Sequence, residues 1–179
     1  MSQLKVNSIV PVGGLPSGAN GGIIQVVQSY STAIFSTTSN TMTEYAALNT
    51  TITPSSSSNK ILIITNVNLS ASNRYSAIKI LRDSTIIAIG DTAGNRSRVT
   101  VSSGSNNDET DNIHIMRNSS ASFLDSPSST SAITYKIQFG NTNNGAYISY
   151  INRAPSGDDD DGSYNHRGIS TITAYEIAA

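Results

Sequence analysis

Two histidines, three glutamates and a run of four aspartates are the residues of this 179-residue chain whose types suit acid, base or metal chemistry. A hydrolytic nucleophile needs a base and an orienting group within hydrogen-bond reach. Serines are abundant, but only His114 and His166 could act as that base, and the chain has no Gly-x-Ser-x-Gly motif. His114 alternates with Ile113 and Ile115, which is typical of a strand residue and not of a base. The sequence therefore does not predict an enzyme.

The acidic run is the strongest candidate for a metal site. Hard cations such as Ca²⁺ bind carboxylate oxygens, and the run holds four of the nine aspartates: Asp158, Asp159, Asp160 and Asp161. The spacing does not fit an EF-hand, because the twelfth position counted from Asp158 is Ile169 and not Glu. Adjacent like charges repel one another, so we expect a solvated loop tip, with a cation site as the alternative.

The glutamates do not form a recognisable pair. Glycoside cleavage needs two acids across a cleft, and Glu44, Glu109 and Glu176 are the only glutamates. Glu176 lies between Tyr175 and Ile177 in the last apolar run, so we expect it to face solvent or a neighbouring chain. No phosphate-binding Gly-x-x-x-x-Gly-Lys motif is present. We therefore expect no cofactor.

The composition excludes several classes of partner. Eleven Lys and Arg against twelve Asp and Glu give a formal net charge of -1, and only 13% of residues are charged. Such a chain has no basic surface for nucleic acid. Apolar runs such as Ile61–Ile64 are far too short for a membrane-spanning helix. The chain has no cysteine and no signal-peptide pattern at its N-terminus, so we expect synthesis in a cytoplasm without disulfides. Ser, Thr and Asn make up 66 residues, so the polar surface is mostly neutral.

Short apolar runs separated by Ser, Asn, Gly and Asp, with no helices between them, predict an all-β head that is either a sandwich or a barrel. We expect an antiparallel, jelly-roll-like β-sandwich. Residues 1–22 are rich in Gly and Pro and predict an N-terminal arm, and residues 23–179 form the head. The predicted strands are Ile23–Ser29, Thr43–Ile52, Lys60–Leu69, Tyr75–Arg82, Thr85–Gly90, Arg98–Ser102, Asn112–Arg117, Ile133–Phe139, Ala146–Asn152 and Ser170–Ile177.

Two connections have the composition of hairpin turns. Arg82-Asp83-Ser84-Thr85 joins two apolar runs, and the Asp83 side chain can bond to the backbone two residues further on. Asn141–Gly145 contains an Asn-Gly pair that tolerates positive φ. We expect Asn143 and Asn144 to form an exposed tip together with the acidic run.

Some predicted strands are apolar on both faces. In Lys60–Leu69, Leu62 and Ile64 lie opposite Ile61 and Ile63, and Tyr75–Arg82 and Ala146–Asn152 are similar. A sheet that is open to water on one side should alternate between apolar and polar residues. The second face is therefore covered, either by the chain's own loops or by another copy. We favour a homo-oligomer with Tyr or Ile side chains in the contact.

Several segments resemble fibre-like virion proteins of marine tailed bacteriophages, notably cyanophages. The segments cover nearly the whole chain: Leu-Lys-Val-Asn-Ser-Ile, Gly-Gly-Ile-Ile-Gln-Val-Val-Gln, Ile-Thr-Pro-Ser-Ser-Ser-Ser-Asn-Lys-Ile-Leu-Ile, Leu-Arg-Asp-Ser-Thr, Ile-Gly-Asp, Ser-Phe-Leu-Asp-Ser-Pro, Thr-Tyr-Lys-Ile-Gln and Ser-Thr-Ile-Thr-Ala-Tyr-Glu-Ile. The resemblance implies a virion component with an anchoring arm and a β-sandwich head, commonly a trimer. Tail fibre, head fibre and capsid decoration are all compatible with it.

The resemblance implies specific roles for the arm and the head. The arm is expected to bind another virion protein, of the capsid or tail, by strand addition through Leu4, Val6, Ile9 and Val10. The chain has no long repetitive shaft, which favours a short fibre or knob. A host surface glycan is a candidate ligand of the loops. The competing hypothesis is a carbohydrate-modifying enzyme, such as a capsule depolymerase, on the same fold.

Overall fold

The computed structural model describes residues 22–72, 75–104, 114–141, 147–155, 162–163 and 165–179. They form two six-stranded sheets, and all the strand pairs in both sheets are antiparallel. The apolar inner faces of the two sheets pack against each other, as expected for a sandwich. The predicted all-β, antiparallel sandwich is confirmed.

Sheet A contains the longest strand of the protein at its centre. Its strands are β1 (Ile23–Ser31), β2 (Phe35–Thr37), β5 (Lys60–Ala71), β9 (Arg117–Asp125), β11 (Ser149–Ile151) and β12 (Ser170–Ile177). On one side, β5 pairs with β12 and then with β11, and on the other side it pairs with β9. β1 pairs with β12 and β2 with β11. The order across the wider part of the sheet is therefore β1, β12, β5, β9.

Sheet B is built on two eight-residue strands. Its strands are β3 (Thr43–Glu44), β4 (Thr50–Ile52), β6 (Tyr75–Arg82), β7 (Thr85–Ile87), β8 (Val101–Gly104) and β10 (Ile133–Gly140). β10 pairs with β6 on one side and with β3 and β4 on the other. β7 and β8 both pair with the free side of β6. Sheet B is therefore centred on the β6–β10 pair.

The core lies between the sheets and consists mainly of β-branched and aromatic side chains. Alternate residues of β5 and β10 face it, because successive side chains of a strand point to opposite faces. Each fully buried Ile or Phe contributes about 1.5–3 kcal/mol relative to an exposed one. The largest fully buried side chains are Tyr135, Phe139, Leu48, Ile52, Ile61, Ile63, Leu69, Ile78, Ile80, Ile137, Ile151 and Ile172.

Some predicted strands agree with the observed strands to the residue, and others do not. Tyr75–Arg82 and Ser170–Ile177 are confirmed to the residue. The predicted Thr43–Ile52 is interrupted by a 3-10 turn over Ala46–Leu48, which buries Leu48 completely. The predicted strand Asn112–Arg117 is wrong at residues 114–116, which precede β9, and only its last residue, Arg117, lies in a strand. No clear alternation of apolar and polar residues marks β9, because Ser and Asn occupy most of its outward positions.

The turn between β6 and β7 is a two-residue connection, as predicted. Arg82 pairs with Thr85, and Asp83 adopts a φ of 52°, a conformation that Asp tolerates better than most residues. The Asp83 side chain does not bond to the backbone two residues on. Its Oδ1 instead accepts a hydrogen bond of 2.9 Å from the Thr134 amide. The turn is therefore tied to β10.

Candidate interaction surface

Eight apolar side chains cover one half of the outer face of sheet A, and we call them the apolar face. Val26 pairs with Tyr175, Tyr175 with Leu62, and Leu62 with Leu124. These residues form a row across all four strands, since paired residues of neighbouring strands share a face. The complete apolar face is Ile23, Ile24, Val26, Leu62, Ile64, Leu124, Tyr175 and Ile177.

Much of the apolar face is open to solvent in the single chain. Val26 is 54% exposed, Leu124 49% and Ile24 41%. A bulge lets Ile23 and Ile24 share the position opposite Ile177, so both occupy the end of the face at which β1 begins. In a two-layer protein the outer face of a sheet usually carries polar side chains, because the apolar side chains face the core. The exposure is therefore unusual for a solvent-facing surface.

The two outer faces of the sandwich differ in charge. On the outer face of sheet B lie Lys79, Lys136 and Glu44, and Lys136 Nζ lies 3.4 Å from Glu44 Oε2. On the outer face of sheet A, among the residues that the structure describes, Lys60 at its margin is the only charged residue of β1, β5, β9 and β12. Only sheet B thus has the charged outer surface of an ordinary soluble domain.

The second face of β6 is covered within the chain, which corrects one basis of the oligomer prediction. Ala77 is 1% exposed and Leu81 5%. On the next predicted two-faced strand, Tyr150 is also buried, and the Arg153 guanidinium lies 4.7 Å from the centre of its ring. These strands need no partner. The argument for a partner, which began from strands that are apolar on both faces, therefore rests on the outer face of sheet A and its exposed apolar residues.

Glu176 faces the interior, contrary to the expectation that it points to solvent or to another chain. It is 1% exposed, and its Oε1 accepts hydrogen bonds from the Ser55 amide (2.6 Å), Ser55 Oγ (2.8 Å) and Asn59 Nδ2 (2.6 Å). Gln25, with its amide nitrogen turned towards the carboxylate, donates to Oε2 at 3.2 Å. Burial alone raises the pKa of a carboxyl group, but these hydrogen bonds outweigh it, so the pKa of Glu176 lies below its ordinary value.

A second carboxylate joins the two sheets. Asp125, the last residue of β9, accepts two hydrogen bonds from Arg82 Nη1, at 2.9 and 3.0 Å. Its Oδ2 also accepts a 2.7 Å bond from the Tyr135 hydroxyl. Burial, together with the bond to Asp125, raises the pKa of Tyr135 well above its ordinary value. This cluster is structural, because its donors and acceptors are used in joining β9 to β6 and β10.

The histidines do not form a catalytic constellation with acids in the part of the chain that the structure describes. His114 Nδ1 lies 2.9 Å from the amide oxygen of Asn165. An amide orients an imidazole but cannot carry the negative charge that a carboxylate supplies to a catalytic dyad. His166 is exposed. Among the described residues no group of three or more His, Asp or Glu side chains could hold a metal ion.

A shallow depression lies at the end of sheet A beside β2. It has a volume of about 280 Å³ and is lined by Ile34, Phe35, Ser36 and Arg153. The Phe35 ring stacks on Tyr45, with 5.6 Å between the ring centres. The depression is open and combines an aromatic surface with hydroxyl and guanidinium groups.

The residues predicted from sequence as sites lie outside the described residues. They are the anchoring residues Leu4, Val6, Ile9 and Val10 and the tip residues Asn143, Asn144, Asp158, Asp159, Asp160 and Asp161. The apolar face was only partly anticipated. The sequence pattern identifies Leu62 and Ile64 as apolar residues of a second strand face, whereas Leu124 lies in β9, a strand that the pattern does not predict. The alternation of Val26 with the polar residues of β1 was a signal that could have been used.

Comparisons with known proteins give no family for this chain. Within the described residues, no helix is long and apolar enough to cross a membrane. Comparison with protein-family models found no match, and comparison with curated proteins found none either.

Proposed function

We propose that the chain is a structural protein of a tailed-bacteriophage virion, a short fibre or knob that displays a β-sandwich head. The observation that carries the proposal is the uncharged, exposed apolar face on a rigid two-sheet sandwich. Exposed apolar surface of this extent usually belongs to a contact with another protein. The resemblance of the sequence segments to phage fibre proteins names the class of assembly. The protein is made in the host cytoplasm and then joins the particle.

The arm is the proposed attachment element. Gly22 accepts a 2.9 Å hydrogen bond from the Ala178 amide, so the arm joins the head beside the apolar face. Leu4, Val6, Ile9 and Val10 supply apolar side chains for strand addition to a capsid or tail protein.

Assembly of particles in infected host cells tests the attachment. A phage that encodes the quadruple Ser variant of Leu4, Val6, Ile9 and Val10 should yield particles that lack the protein, measured by quantitative mass spectrometry. A control variant with Ala at Ser2, Asn7 and Ser8 should give normal occupancy. Normal occupancy of the quadruple variant would contradict the anchoring role. Absence of the wild-type protein from purified particles would contradict the virion proposal itself.

The head is proposed to act as a homo-oligomer, with a trimer as the expected state. A threefold assembly suits a fibre, because closed cyclic symmetry places identical arms at one end. A host surface glycan is the proposed ligand of the loops of the head. Light scattering on the purified chain should report a mass near three times 18.8 kDa. A stable monomer at about 20 µM, well above a micromolar dissociation constant, would contradict this part.

A further inference from the structure

The apolar face has the composition of a contact between copies of one chain. Its eight residues carry no charge, and among the described residues Lys60, at the margin, is the only charged one that these strands place on the same outer face. Two such faces can approach each other without repulsion and without leaving an unpaired charge buried. A basic or acidic partner would find no complementary group on it. The chemistry of the face therefore favours a second uncharged, apolar surface.

The size of the apolar face also fits a protein contact. Four of its side chains are 41–58% exposed, so its exposed apolar area is on the order of a few hundred Å², the size at which exposed apolar patches are often functional. A standard interface buries about 800 Å² on each partner. The neighbouring side chains Gln28 and Tyr30 continue the same outer face beyond the buried Thr173, and Tyr30 is 67% exposed. These two residues extend the face towards that size and supply a polar rim.

The geometry favours contact through the face and not through an edge. β1, at one edge of sheet A, lies against β4 and the 3-10 turn of sheet B, and β9 at the other edge lies against β8. Strand addition needs an open edge, whereas the broad outer face of sheet A can turn towards a threefold axis and meet the same face of the two other copies. The arm of the same chain, residues 1–22, is the competing partner for this face.

We propose that the apolar face is the surface through which copies of this chain associate. The inference rests on the proposed homo-oligomer and assigns its contact. Val26, Tyr175, Leu62 and Leu124 form the centre of the contact, and Gln28 and Tyr30 form its polar rim.

Light scattering on charged variants tests the assignment. A double variant, Val26→Asp with Leu124→Asp, should raise the dissociation constant at least about a hundredfold, because it buries like charges in the contact. Both positions are exposed in the single chain, so the fold should persist in far-UV circular dichroism. The matched control is Ile86→Asp on the outer face of sheet B, since Ile86 is 40% exposed. It should keep the wild-type mass.

A labelling experiment gives a second readout that does not depend on charged variants. The chain has no cysteine, so a single introduced thiol is unique. Leu124→Cys should react with a maleimide at least about tenfold more slowly at a concentration that gives oligomers than after dilution to monomers. Ile86→Cys should react equally under both conditions.

The possible results separate the two proposals. An unchanged mass for the folded double variant, or equal labelling of Leu124→Cys at both concentrations, would assign the contact to another surface and leave the oligomer intact. A monomeric wild-type chain would contradict the oligomer itself. Protection of Leu124→Cys in a monomer, lost on deletion of residues 1–20, would assign the face to the arm and overturn the inference.

Discussion

Glu176 is a buried carboxylate whose partners, in the described residues, are neutral donors. Ser55 and Asn59 belong to the connection between β4 and β5, and Gln25 belongs to β1. Hydrogen bonds to an ionised group contribute about 1.5–3 kcal/mol each, and an unmade one leaves a buried charge unsolvated. Glu176 therefore fixes a long polar loop against sheet A.

We expect Glu176→Gln to lower the free energy of unfolding at pH 7 by about 1–3 kcal/mol. The amide has one acceptor oxygen and brings an NH₂ group among existing donors. Urea unfolding monitored by circular dichroism measures the change. The control is Glu44→Gln, whose partly exposed ion pair should be worth less than about 0.5 kcal/mol. Equal effects of the two substitutions would contradict a special role for the buried carboxylate.

The Glu176 carboxyl also predicts a pH dependence. Because its pKa is lower in the folded protein than in the unfolded chain, its contribution is complete above the unfolded value and is lost as the pH falls through the folded one. The difference in unfolding free energy between wild type and Glu176→Gln should therefore shrink below about pH 4. Urea titrations at neutral and acidic pH test this. A difference that is constant with pH would assign the effect to packing.

Asp125 gives a residue-scale prediction for the contact between sheets. Asp125→Ala should reduce the unfolding free energy by about 2–4 kcal/mol, because it leaves both the Arg82 guanidinium and the buried Tyr135 hydroxyl without this acceptor. Ser122→Ala, at an exposed position of the same strand, should change it by less than about 0.5 kcal/mol. Denaturant midpoints measure both. A small effect at Asp125 would mean that water replaces it.

At the scale of elements, Asn152 holds together the ends of several strands. Its Nδ2 donates to the carbonyl oxygens of Ser31 (2.8 Å) and Ala33 (3.0 Å), and its Oδ1 accepts from Ser170 Oγ (2.6 Å). Its backbone has a φ of 62°, which Asn tolerates and most residues do not. The residue therefore combines a turn conformation with a buried hydrogen-bond network between β1, β11 and β12.

The two contributions of Asn152 can be separated by two substitutions. Asn152→Ala should cost about 2–4 kcal/mol of unfolding free energy, and Asn152→Gly about 1 kcal/mol less, because Gly adopts positive φ without strain. At Asn66, an exposed position within β5, the order should reverse, since Gly weakens a strand relative to Ala. Chemical denaturation ranks the four variants. The same order at both sites would exclude a contribution from φ at Asn152.

How far the sequence predicts these elements depends on the residues that form them. β6 and β12 are rich in Ile, Leu, Thr and Tyr, and their bounds were predicted to the residue. β9 faces solvent through Ser and Asn, so its alternation is nearly invisible in composition. The prediction that Glu176 faces outward is wrong, because it rests only on the general exposure of charged side chains. Its hydrogen-bond donors come from residues more than a hundred positions away, which no local pattern reveals.

At the scale of the molecule, the uncharged contact predicts a response to salt. Raising NaCl from about 0.1 to 1 M shortens the screening length from about 10 to 3 Å and weakens exposed ion pairs, but not apolar contacts. The oligomer mass measured by light scattering should therefore stay constant or become more resistant to dilution. Dissociation at high salt would show that ion pairs hold the copies together.

The hydrogen bond between the Ala178 amide and the Gly22 carbonyl has a consequence for protein engineering. It places the two ends of the head next to each other, so a short Gly-Ser linker from Ala179 to Gly22 could join them. New ends could then be opened at Gly94, in the exposed segment before β8, where no hydrogen bond of a sheet is cut. Such a circular permutant should fold, and it would allow a foreign peptide to be displayed at Gly94 while the original arm is replaced.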